Sequence, residues 1–313
     1  MTHPFRFGVL LRSPLPDLTW TDTAKKLEDL GFSALNIPDH FGDQWSVTPA
    51  LAATAATTTK LRLGPLVLCN DYRHPLILAQ EMATIDVISE GRLELGLGAG
   101  WMRSDYDASG IEYDSPGTRI ERLEEAVQVV YGLFSSDYFS FSGKYYRIGE
   151  HYGRPDPVQT RVPLLIGGGG PKMLGLAARY ADIVGVNANL RSGKIDENTL
   201  DDLTESRFDE KLTWVRDAAG DRFEQIELHV LTQIAQVTAG GQATKDTLNA
   251  TASFVGRPPE IAEKSPMLLI GSAEEMADTL RERRERWGFN YISIPGSSDI
   301  EAFSAVINLL DGE

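Results

Sequence analysis

The sequence has little of several things, and each scarcity narrows what the chain can be. It holds one cysteine, Cys69, among 313 residues. No intrachain disulfide can form, which fits a reducing compartment and a cytoplasmic protein. Positive charge is also short: 30 Lys and Arg stand against 45 Asp and Glu, a formal net charge of −15. A surface of that sign does not condense onto nucleic-acid phosphates or anionic lipid, so neither is an expected partner. The strongest apolar stretches, such as residues 162–170, fall far short of the roughly 20 residues that cross a bilayer. The opening MTHPFRFGVLL lacks the basic segment, long apolar core and small-residue cleavage site of a leader. Histidine occurs five times, at His3, His40, His74, His151 and His229, without paired ligand spacing, so metal chemistry is not expected.

What is present is an ordinary globular composition, 42% hydrophobic and 9% aromatic, arranged in a regular rhythm. Short apolar runs at 7–11, 34–37, 61–68, 93–97, 164–166, 183–186, 226–237 and 291–294 read as strands buried on both faces, as parallel strands are. Between them lie helical patterns at 19–31, 48–58, 75–89, 115–134, 171–180, 205–219, 272–288 and 299–310. In the seventh, Ser272 and Glu275 form a capping box and Gly288 stands where a C-terminal cap belongs. The pattern predicts a (β/α)8 TIM barrel over residues 1–313 as one domain. A doubly wound open sheet is less favoured, because no strand opens into a dinucleotide fingerprint and the units continue evenly to the end. The stretches 137–162 and 187–225 exceed a normal connection, the first holding a small hairpin in FSFSGKYYRI. Both are expected to wall a pocket at the C-terminal rim.

In a barrel the working groups follow the C-terminal ends of strands. Those places hold Pro38-Asp39-His40, Cys69-Asn70-Asp71, Gly98-Ala99-Gly100-Trp101, Gly167-Gly168-Gly169-Gly170 and Asn187. The four glycines run into a helix opened by Pro171, and bare backbone N–H groups at the positive end of a helix dipole favour phosphate. The alternating Gly96, Gly98 and Gly100 suit either a flat ring against bare backbone or close strand packing. Trp101 would stack on or shield a ligand. His40 beside Asp39 at a rim points to proton transfer, and Cys69 reads as a small apolar residue.

The segments NIPDHF, HPLILAQEMATIDVISEGRLELGLGAGWMRSDYDASGI, RIERLEEAVQVVYGLF and PLLIGGGGPKMLGLAARYADIVGVN together resemble the bacterial luciferase-like monooxygenase superfamily. The Asp-His pair is similar to that of its branch dependent on coenzyme F420. The resemblance implies an enzyme that moves a hydride between a deazaflavin and a small organic substrate, most simply reducing C=C or C=O. The alternative it implies is a monooxygenase using FMN. It implies His40 as acid/base with Asp39 beside it, Gly98, Ala99, Gly100 and Trp101 bordering the ring, and Gly167, Gly168, Gly169 and Gly170 holding the phosphate, with Asn187 nearby. It also implies a homodimer, and a non-proline cis peptide at Leu66-Val67 against the back of the ring. A barrel that only binds cofactor, without turnover, is the rival of another class. The sugar-phosphate dehydrogenases of the branch carry a glutamate where this chain has Trp101, so their substrate residues are not carried over.

Overall fold

The structure, a computed structural model, describes residues 3–135 and 137–313. Met1, Thr2 and Ser136, included in the expected barrel domain, lie outside the described residues. The strands in chain order are β1 (Arg6–Leu10), β2 (Ala34–Ile37), β3 (Arg62–Pro65), β4 (Leu68–Cys69), β5 (Leu95–Gly98), β6 (Tyr138–Ser142), β7 (Arg147–Tyr152), β8 (Leu164–Gly168), β9 (Ile183–Val186), β10 (Glu227–Leu231), β11 (Ile234–Val237), β12 (Leu268–Gly271) and β13 (Phe289–Pro295).

Nine of them make one parallel sheet in the order β3-β2-β1-β13-β10-β9-β8-β5-β4. The two ends of that list are halves of one chain segment. β3 pairs with β2, β4 pairs with β5, and a bridge between Leu63 and Leu93 joins the same neighbours. The sheet therefore closes on itself as an eight-stave TIM barrel, the architecture expected from the alternating pattern. The expected third strand, 61–68, is interrupted at Leu66-Val67, which is a cis peptide, as the resemblance implies. The expected seventh strand, 226–237, is two strands with different partners. After β10 the chain turns at Thr232, whose N–H donates to Ser293, and Gln233 then donates to Met267 outside the barrel. β11 goes on to pair with β12, a strand that the sequence pattern does not reveal.

Helices follow the staves closely to expectation: Trp20–Asp29, Val47–Thr57, Pro75–Ile88, Pro116–Phe134, Pro171–Tyr180, Glu205–Ala219, Ala273–Trp287 and Ile300–Leu310. Ser272 and Glu275 form the expected capping box and Gly288 closes that helix at φ 86°. The N-terminal end of the barrel is plugged by ions: Arg6 reaches Glu94 at 2.6 Å and Glu227 at 2.6 Å, and Arg62 reaches Glu94 at 2.5 Å.

The two long excursions behave differently. The hairpin of β6 and β7 lies along helix Pro116–Phe134, where the Glu125 carboxylate accepts the N–H groups of Lys144, Tyr145 and Tyr146 at 2.7, 2.9 and 3.0 Å. Its tip meets the rim where Asn70 donates to the Tyr146 hydroxyl at 3.0 Å. The stretch after β9 stays on the rim. There Arg103 N–H donates to the Gly193 carbonyl at 3.0 Å. Arg257, beyond the further helix Gln242–Val255, pairs with Glu197 and Asp201.

Candidate active site at the barrel rim

The exit of β2 places two adjacent residues in opposite duties. Asp39, 6% exposed, accepts from Arg73 Nη1 at 2.6 Å, Arg73 Nη2 at 3.0 Å and the Cys69 N–H at 3.0 Å. Both its oxygens are thus spent tying the β2 exit to the β4 exit. His40 takes a different partner: its Nδ1 lies 2.7 Å from Asp105 Oδ2, and its ring meets Trp101 edge-on with centroids 5.8 Å apart. The sequence reading paired His40 with Asp39 and did not single out Asp105, which sits on the short helix Arg103–Ser109. A helix stop was legible there in Gly110, which caps that helix at φ 72°.

The β5 exit is held rigidly from behind. Gly100 adopts φ 74°, and a Cβ there would overlap the Tyr106 hydroxyl and lie 2.6 Å from Cys69 Sγ. Arg119, 2% exposed, donates to the Gly100 carbonyl, and the Tyr113 hydroxyl donates to the Trp101 carbonyl at 2.9 Å. Ala99 packs against the core. Between the two open readings of the alternating glycines, packing accounts for Gly96 and Gly98: their Cβ directions run into Pro65 and Val67. Burial pushes the Cys69 thiol up to about 11, so it stays protonated at neutral pH.

β8 runs through Gly167 and Gly168, and Gly169 and Gly170 turn into helix Pro171–Tyr180. No side chain caps that helix, so its first N–H groups remain available for an anion. The turn lies under the β9 exit: a Cβ on Gly169 would sit 2.5 Å from the Asn189 nitrogen, and one on Gly170 3.3 Å from Asn189 Nδ2. Asn187 donates its N–H to Gly168 O at 2.9 Å, and its own carbonyl accepts from the buried Lys211 at 2.9 Å. Lys211 in turn pairs with Asp202 at 2.6 Å. The Asn187 side-chain oxygen is buried without a hydrogen-bond partner, an acceptor that suits a ligand N–H.

Inside the barrel lies a polar chain that sequence reasoning missed. His229 Nε2 is 2.9 Å from Ser293 Oγ, which donates to Asn36 Oδ1 at 2.8 Å. Nothing but the alternation of polar residues inside three strand patterns signals it. Burial, helped by the Arg6 charge, pulls the His229 pKa down to about 3.

A closed parallel barrel with a glycine turn at an uncapped helix and a histidine at the same rim is a scaffold of the class that carries small-molecule sites at the C-terminal ends of its strands. The family model described as luciferase-like monooxygenase matches residues 18–291, and the chain belongs to that family. It is similar to the F420-dependent glucose-6-phosphate dehydrogenase of Microbacterium testaceum, 31% identical over 58% of this chain and 56% of that one. The enzyme of the same name from Nakamurella multipartita is 29% identical over 85% of this chain and 77% of that one. The chain thus spans about half the length of the first relative and three quarters of the second. Among solved structures, the coenzyme F420-dependent tetrahydromethanopterin reductase of Methanopyrus kandleri superposes with a TM-score of 0.75. The superposition covers 99% of this chain and 100% of that one at 22% identity, a likeness of fold. Among the described residues no helix is long and apolar enough to cross a membrane.

Proposed function

We propose that the protein is a coenzyme F420-dependent oxidoreductase that reduces C=C or C=O in a small organic substrate. The observation that carries the reading is His40 at the rim, held through Nδ1 by a buried carboxylate, on the same face as the uncapped glycine turn. The relatives' names support the deazaflavin over FMN. The residues fit such a group. Gly168, Gly169 and Gly170 with the helix N-terminus would hold the phosphate, the unpartnered oxygen of Asn187 would accept from a ligand N–H, and Leu66, Val67, Gly100 and Trp101, with Gly98 packed behind Val67, would line the place of the ring. Phe41, 50% exposed and set 4.6 Å from the Tyr72 ring at a tilt of 34°, supports an uncharged substrate over a sugar phosphate.

When bound, the deazaflavin supplies a hydride. The anion that hydride addition leaves on the substrate needs a proton, and His40 provides it, while Asp39 fixes the loop that carries His40. The barrel fixes the reacting partners in place, which is most of what the protein must supply. The buried free thiol of Cys69 supports a cytoplasmic location. We also read the active form as a homodimer, for which the apolar side chains of Ile77, Val87 and Ile88, exposed on helix Pro75–Ile88, are the support.

Purified protein titrated with F420 and with FMN tests the reading. Expected are binding of the deazaflavin, anaerobic turnover, and a 10²–10⁴-fold loss of turnover in His40→Ala with little change in cofactor affinity. Tight FMN binding, no affinity for the deazaflavin and stoichiometric oxygen consumption would overturn it in favour of a monooxygenase.

A further inference from the structure

We infer that Asp105 is a positioning residue that fixes the tautomer and orientation of His40, so that Nδ1 always carries a proton and Nε2 is the atom that exchanges one with substrate. The inference rests on the reading of His40 as the acid/base. Two buried carboxylates stand near the β2 exit, and their partners differ. Asp39 is neutralised bidentately by Arg73. Asp105 is 4% exposed and, among the described residues, its one ion-pair partner is His40. A buried carboxylate without hydrogen-bond donors is expensive, and Asp105 has three of them. Phe41 N–H donates to Oδ1 at 3.3 Å, the Tyr72 hydroxyl donates to Oδ2 at 3.2 Å, and His40 Nδ1 lies 2.7 Å from Oδ2. Burial and the neighbouring Cys69 and Asp105 push the Tyr72 pKa up, so its hydroxyl stays protonated and donates.

An ionised carboxylate only accepts, so the short contact to His40 requires a proton on Nδ1 in both the neutral and the charged ring. Nε2 makes no hydrogen bond to the protein among the described residues. In turnover the imidazolium gives its Nε2 proton to the substrate anion and remains as the Nδ1–H tautomer. Water then returns a proton to Nε2. Asp105 neither gains nor loses one. The helix that carries it cannot drift: the next residue, Tyr106, donates to Asp71 at 2.9 Å, and Asp71 is paired with Arg122 at 2.9 Å.

The decisive measurement needs neither cofactor nor turnover. In protein labelled with ¹⁵N-histidine, with the His40 signals identified by their loss in His40→Gln, long-range ¹H–¹⁵N correlation reads the tautomer. A neutral His40 protonated on Nδ1 is expected, and a ring protonated on Nε2 would overturn the assignment. Asp105→Asn, whose amide can donate to Nδ1, is expected to shift His40 toward the Nε2–H form. With whichever cofactor supports turnover, the variant should lose about 10²-fold in kcat, with KM and cofactor Kd nearly unchanged. Combined with His40→Ala it should cost nothing further, since both act through one ring. A full additive loss in the double variant would show that Asp105 acts independently of His40. If turnover proves to depend on FMN, the cofactor reading fails while the tautomer result stands.

Discussion

Gly96 of β5 and Pro65 of β3 approach so closely that a Cβ on Gly96 would overlap the Pro65 carbonyl oxygen. Backbone cannot move aside as a side chain can. Two residues on, the close contact of a Cβ at Gly98 would be with Val67 Cγ2, at 2.6 Å, while the Leu68 backbone oxygen stays at 3.9 Å. Gly96→Ala should therefore destabilise the fold by about 3 kcal/mol, and Gly98→Ala by about 1 kcal/mol, as overpacking against backbone and against a rotatable side chain respectively. Urea midpoints of the two variants against the parent measure this. Equal losses would mean that the barrel wall at Pro65 yields as easily as the Val67 side chain.

The glycines show how far the sequence could be read. Their alternation marked the β5 exit, but whether bare Cα atoms face a ligand or another strand depends on which stave lies alongside, and only the closed sheet supplies that. The barrel itself was legible because each stave is an apolar run and each helix an amphipathic one, a pattern set by local burial. The split of 226–237 was not, since β10 and β11 share one continuous apolar pattern and differ only in partner. Asp105 was hidden for a similar reason: the sequence neighbour of His40 is Asp39, while its spatial neighbour comes from 65 residues along the chain.

His229 makes stability depend on pH. Its native pKa is about 3 against an ordinary 6.5. Below pH 6.5 the unfolded chain binds a proton there that the native state refuses, so stability is full above 6.5 and falls as pH drops toward 3. The slope from this group is about 1.4 kcal/mol per pH unit, or about 2 kcal/mol between pH 6.5 and about 5. Guanidinium unfolding of the parent and of His229→Gln at the two pH values checks it. Gln can still bond to Ser293 but does not titrate, so the variant should show a shallower loss. Parallel curves would assign the acid sensitivity to other groups.

The proposed phosphate turn should discriminate between neighbouring glycines. A Cβ on Gly169 would overlap the Ala188 carbonyl, whereas one on Gly170 faces the Asn189 side chain at 3.3 Å. Displacing the Asn187–Asn189 backbone should weaken cofactor binding in Gly169→Ala by about tenfold or more, ~1.4 kcal/mol. Gly170→Ala should lose much less. Fluorescence titration of cofactor into both variants decides. An anion site elsewhere on the rim would leave both affinities at the parent value.

The last prediction concerns assembly. Helix Val47–Thr57 contains no charged residue, and Pro75–Ile88 contains only Glu81 and Asp86. Asp86 is fully buried and Glu81 accepts from Thr48 at 3.1 Å. The two helices pack side by side and expose Ile77, Val87 and Ile88 at 52%, 41% and 42%. In a chain of net charge −15, this is a surface poor in charge, with Glu81 its one partly exposed carboxylate, on which two copies can meet with little like-charge repulsion. A helix of 14 residues is about 21 Å long and about 10 Å wide, so two abreast offer about 400 Å², half of the roughly 800 Å² per partner of a stable interface, and the segments flanking them would supply the rest. Light scattering should give twice the 34.4 kDa chain mass for the parent at micromolar concentration. Ile77→Glu combined with Val87→Glu should give the single chain mass, because two carboxylates per copy would face their counterparts across the seam. Far-ultraviolet circular dichroism should be unchanged in that variant, since both side chains point outward. A parent that runs as a monomer, or a double variant that still pairs, would remove this face from the proposed assembly.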